Sequence, residues 1–142
     1  MAWYLGLVLA VAGVLGNANP GVADIRIGFA SALSGAFAAT GTRYRAAVEV
    51  AVERLNRHGG LRGLPVRLVT ADDACGVEQA EAAAQQLVAT GVLFVVCHLC
   101  SHSSLVAAPI YEAAGVPMMS TTSSHPRLTP NSTAAAVRAS WW

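Results

Sequence analysis

The sequence predicts an α/β fold, a Rossmann-like parallel sheet with helices on both faces. Three observations lead there. From Ile25 onward short β-type runs alternate with segments of helical period, and their order is β-α-β-α-β-α-β. The loops that follow the strands are the ones rich in Ser, Thr, Gly and Ala, which is where an open parallel sheet of this kind binds its ligands. The 142 residues suffice for one domain, a size that buries a core without staples.

The first 23 residues, MAWYLGLVLAVAGVLGNANPGVA, carry no charged side chain. Leu5 to Leu15 is too short an apolar run to cross a bilayer as a helix, and Gly21-Val22-Ala23 puts small residues where signal peptidase cuts. Residues 1–23 are therefore expected to be a secretory signal peptide, with the mature, exported chain starting at Asp24. Because the stretch lacks Lys and Arg, an uncleaved N-terminal anchor is the alternative.

Ile25 to Ser31 (IRIGFAS), Val66 to Ala71 (VRLVTA) and Val92 to Cys97 (VLFVVC) are predicted strands, and Val116 to Ser120 (VPMMS) a shorter fourth. None is long enough for a helix. Between the first two, Val48, Ala51, Val52 and Leu55 share one helical face, and His58-Gly59-Gly60 provides the stop. Ala80, Ala83, Ala84, Leu87 and Val88 repeat the pattern before Gly91. A third helix, from about Ser103 to Ala114, contains Pro109, which is expected to kink it or to mark its true start. The tail, residues 130–142, is polar and then alanine-rich and ends on Trp141 and Trp142. It is expected to be divergent or truncated, leaving the fourth strand at or near the sheet edge.

Nine Arg and no Lys stand against eight acidic residues, with no block of like charge, which argues against nucleic acid as a partner. Three loops collect the polar residues: SALSGAFAATG after the first strand, CHLCSHSS after the third and STTSSHP after the fourth. They offer hydroxyls and N–H groups at helix starts, a set suited to a carboxylate, and no evident general acid or base. No catalytic residue, metal or cofactor is expected.

CHLCSHSS, Cys97 to Ser104, admits sharper chemistries. Cys97, His98, Cys100 and His102 have the look of zinc ligands, but no second pair follows. Cys97 and Cys100 form a Cys-x-x-Cys at a helix start, without the flanking sequence of a redox motif. A Ser or Cys nucleophile with a histidine base remains open on spacing, although no Asp or Glu is close by; histidines at a loop surface are the plainer reading. Three cysteines in an exported chain leave one over, whichever two pair.

Taken together, DIRIGFASALSGAFAATG, VEVAVERLNRHGGLRGLPVRLVTADDAC, FVVCHLCSHSS and PIYEAAGVPMMSTTSSHPRLT resemble the N-terminal lobe of the periplasmic branched-chain amino-acid binding proteins of ABC transporters, from Asp24 to Thr129. The resemblance implies a truncated periplasmic-binding-protein-like type I lobe over residues 24–129. It also implies a disulfide between Cys75 and Cys100, with Cys97 unpaired where the family pattern often has glycine. Closing a loop of that length stabilises a fold by about 3 to 3.5 kcal/mol on the chain-entropy model. Ser101 matches the serine whose hydroxyl meets the ligand carboxylate. Thr122 matches a position of backbone contacts, and Ser124 a second hydroxyl position. Thr40 falls where leucine-binding relatives have a ligand-contacting aromatic, and His125 where they have Asn, which suggests an indirect or surface role for it.

By the same resemblance a second lobe would close over the ligand and bring an acid to its ammonium group, and the partner would be an ABC permease in the membrane. The function implied is an exported, non-enzymatic binding protein for a branched-chain or other small aliphatic amino acid. Two alternatives accompany it: a sensory module of the same fold that signals amides or amino acids to a partner, and a small α/β enzyme using Cys97, Cys100 or a histidine.

Overall fold

The computed structural model describes residues 23–128 and 136–138. The expected signal peptide and most of the tail lie outside the described residues. Five parallel strands form one sheet in the order β2-β1-β3-β4-β5: β1 Ile25–Ser31, β2 Val66–Asp72, β3 Phe94–Cys97, β4 Met118–Ser120 and β5 Ala136–Arg138. Three helices connect them, α1 Ala38–Arg57, α2 Val77–Ala89 and α3 Ser101–Ala113.

The order reverses direction between β1 and β3, so right-handed crossovers send α1 to one face and α2 and α3 to the other. The crevice beyond the carboxyl ends of β1 and β3 is the place where such a reversal opens a ligand site.

Alternation along the strands sorts the two faces. Ala30, Val95 and Met118 are buried beneath α2 and α3, against Ala83, Ala84, Leu87, Ala107 and Tyr111. The alanines on α2 let it approach closely, which is why a segment so poor in large side chains still builds the core. On the opposite face Ile27, Phe94, Val96 and Met119 look across a gap of about 350 Å³ toward Val48 and Val52. The helical face predicted for α1 is therefore the one turned to the sheet. Where α1 begins, Gly41 passes so close to the β1–α1 loop that a Cβ there would stand 1.8 Å from the Ala32 carbonyl oxygen.

Some expectations are refined. The third helix does not begin at Pro109 but runs through it from Ser101. The missing N–H costs one bond to the preceding turn. The fourth strand lies near the sheet edge rather than at it, because Ala136–Arg138 pairs with it in parallel, Met119 opposite Val137. A three-residue strand with one β-branched side chain in an alanine-rich stretch carries too little pattern to be seen.

Candidate functional site

Each loop at the carboxyl edge of the sheet is held by buried or local polar contacts. Asp72, the last residue of β2, accepts from the Leu33 N–H at 2.7 Å, the Ser34 N–H at 3.3 Å and the Ala74 N–H at 2.9 Å through one oxygen. Desolvation pushes its carboxyl up, but those bonds and one from the Ser34 side chain outweigh it, so the group lies below its ordinary value. Asp72 thus ties the β1–α1 loop to the β2–α2 loop.

The β2–α2 loop carries two consecutive non-glycine residues in the left-handed region, Ala74 at φ 46° and Cys75 at φ 56°. Such conformations cost on the order of 1–3 kcal/mol each and persist only where the surroundings impose them. Here Asp73 Oδ1 accepts from the Cys75 N–H at 2.8 Å, the His102 ring bonds the Cys75 carbonyl, and Cys75 is joined to Cys100 with Cα atoms 5.5 Å apart.

His98 is the hub of the next layer. Its Nδ1–H donates to Asp73 Oδ2 at 2.5 Å, and its Nε2 stands 3.3 Å from the Tyr111 hydroxyl. All three side chains are fully buried. The His98 carbonyl accepts from the Ser123 hydroxyl at 3.1 Å, and the Ser104 hydroxyl is 2.6 Å from that of Ser123. One residue thereby connects the loops after β2, β3 and β4 to α3.

This arrangement corrects the picture of histidines at a loop surface. His102 is exposed, but His98 is buried because a carboxylate at the end of β2 and a tyrosine on α3 give its ring polar partners inside the core. Of the sharper readings of CHLCSHSS, the Cys-x-x-Cys dithiol is answered by the Cys100 sulfur, which is bonded to Cys75, and the acid missing near the histidines in sequence is supplied in space by Asp73, which engages the buried His98. Among the described residues no group of three or more His, Cys, Asp or Glu stands where it could hold a metal ion.

The residues singled out in the sequence fall at the same edge. Cys100 is the N-cap of α3, with no side-chain cap bond, so the first N–H groups of the helix are not capped by its side chain. Ser101 follows at once, half-buried, and its Oγ accepts from the Ser124 N–H at 3.3 Å. The hydroxyl proton of Ser101 is what remains to be offered to an acceptor. Thr122 donates its hydroxyl to the Leu99 carbonyl at 3.1 Å, which fixes the β4 loop against the β3 loop.

Beside Thr122 opens a cavity of about 280 Å³ whose walls include Phe29, Tyr44, Val48, Val96, Leu99 and Thr122. Its lining is mostly apolar, and its position is the β1/β3 switch point. Thr40, in the first turn of α1, is half-buried and is not part of this wall. Tyr44, one turn further on, supplies the aromatic on that side. Asp72, Asp73 and Tyr44 were not singled out from the sequence, although an acid pair between a strand and a helix, as in TADDACG, is a legible loop-fastening signal.

Comparisons with known proteins agree with this fold. A profile described as periplasmic binding protein matches residues 24–140. An amino acid binding protein of Pseudomonas aeruginosa is 39% identical over 124 residues, covering 87% of this chain and 33% of that protein. The Leu/Ile/Val-binding protein of Escherichia coli is 38% identical over 106 residues, 75% of this chain and 29% of that one. Among solved structures, a branched-chain amino acid transporter substrate binding protein from Streptococcus pneumoniae, in complex with isoleucine, superposes with a TM-score of 0.77 at 28% identity, over 82% of this chain and 33% of that chain. The chain thus spans about a third of the length of the relatives it matches.

Proposed function

The chain belongs to the periplasmic binding protein family, and we propose that it is the carboxylate-gripping part of an exported solute-binding protein that captures a branched-chain or other small aliphatic amino acid for an ABC importer. The observation that carries the reading is the pairing of Ser101 and Ser124 at the start of α3, each two residues along the chain from a wall residue, Leu99 or Thr122, of the mostly apolar cavity at the switch point.

In this reading the Ser101 hydroxyl and the N–H groups at the α3 N-terminus meet the ligand carboxylate, where both the donors and the helix dipole favour an anion. Leu99, Val96 and Phe29 receive the aliphatic side chain. The site needs no reacting group: it binds and releases. The Asp73–His98 pair and the Cys75–Cys100 bond keep the hydroxyl and the N–H groups converging, which reduces the ordering cost of binding. Export to an oxidising compartment, with cleavage before Asp24, supplies the conditions in which that bond persists.

Amide chemical-shift titration of the chain with L-leucine and with L-leucinamide tests the proposal. Leucine should shift the amides of Ser101, His102 and Ser124, and the amide analogue, lacking the carboxylate, should not. Equal responses to both compounds would overturn it.

A further inference from the structure

Consecutive residues of the loop after β4 fasten it to the loop after β3 and to the start of α3. The Ser123 hydroxyl donates to the His98 carbonyl at 3.1 Å, and the Ser124 N–H donates to Ser101 Oγ at 3.3 Å. These bonds serve the buried hub and the α3 N-terminus. The Thr122 hydroxyl donates to the Leu99 carbonyl at 3.1 Å, and here both partners are wall residues of the 280 Å³ cavity. Both lie outside the strands and helices, so neither is set in place by a ladder or a helical turn. The Thr122 side chain is exposed, and Leu99 is half-buried.

We infer that Thr122 is a positioning residue: by holding the Leu99 carbonyl it presets the apolar wall that receives the ligand's side chain, and so favours a leucine-sized side chain over a methyl group. The inference rests on the amino-acid reading above. An isobutyl side chain uses the Leu99 surface, whereas a methyl group touches little of it. With the wall already in place the larger side chain packs without ordering the loop, and without the bond part of the contact energy is offset by that ordering. Ser101 and the first N–H groups of α3 meet the carboxylate of either ligand, so the grip itself does not distinguish them.

L-Leucine and L-alanine are the probes, since they share the carboxylate and differ in the side chain. Amide-shift titrations give the ratio of their affinities for the chain, for Thr122→Val, which keeps the shape and removes the hydroxyl, and for Thr122→Ser, which keeps the hydroxyl. The preference for leucine should fall by about three- to tenfold in Thr122→Val, the effect of a single net hydrogen bond. Alanine should bind that variant as it binds the unaltered chain, and Thr122→Ser should retain the preference. A ratio unchanged in Thr122→Val overturns the inference and leaves the amino-acid reading intact. Equal losses for both amino acids also overturn it, since the hydroxyl would then serve the grip or the fold at large. If leucine does not shift the amides of Ser101 and Ser124 in the unaltered chain, the amino-acid reading fails and the positioning role fails with it.

Discussion

Replacing His98 with alanine removes the ring that fills the space between Asp73 and Tyr111. The Asp73 and His98 side chains are 0% exposed, and their hydrogen bond is 2.5 Å long. In His98→Ala the Asp73 carboxyl keeps the Cys75 N–H but loses its histidine, in a place water does not reach. Removing one member of a buried hydrogen-bonded pair costs about 3–5 kcal/mol, because the other is left uncompensated. That is a large part of the roughly 5–15 kcal/mol that stabilises an ordinary domain. The expected result is a fall in the thermal midpoint of roughly 10–20 °C, followed by circular dichroism. His98→Asn should recover a part of the loss, since its amide can present an N–H to Asp73 from near the Nδ1 position. If His98→Ala changes stability by less than about 0.5 kcal/mol, as a substitution at an exposed position does, the hub described here does not hold the loops and the reasoning fails.

Three other outcomes are expected. Peptide mapping without reduction should find Cys75 joined to Cys100 and Cys97 as the free thiol, and reduction should lower stability by about 3 to 3.5 kcal/mol; a Cys97–Cys100 bridge would contradict both. The Asp72 carboxyl is lowered in the folded chain, so its contribution is present above its ordinary value of 3.8 and is lost as pH falls through the lower folded value. The stability difference between the chain and Asp72→Asn should accordingly be seen near neutral pH and shrink as pH falls below 3.8, and a difference that grows with acid would refute it. In a bacterial host the exported protein should begin at Asp24 by N-terminal sequencing, and recovery of intact Met1 from the periplasm would count against the signal peptide.

Strands β1 and β2 and the apolar faces of α1 and α2 were legible in the sequence because each element is long enough to show its period, and a glycine follows each of the two helices. The third strand is two residues shorter than its apolar run suggests: Val92 is buried, but Leu93 turns out to solvent and is 62% exposed, so the run includes an entry loop. The fifth strand has too few residues to show a period. At the site, motif order placed Ser101, Thr122 and Ser124 at one edge, where the structure also has them. What composition could not show is which polar side chains face inward, since His98 and His102 are four residues apart and differ only in what the fold brings near them.

The carboxylate grip at the start of α3 is the centre of the account, and the affinity of L-leucine for the chain, for Ser101→Ala and for His102→Ala tests it most directly. Ser101→Ala should weaken binding by about 1.5 to 3 kcal/mol, the range for a hydrogen bond to a charged group, while His102→Ala, exposed and engaged with the Cys75 carbonyl, should change it far less. If Ser101→Ala binds leucine as the unaltered chain does while His102→Ala abolishes binding, the ligand is not held by the serine, and the grip has been assigned to the wrong residues.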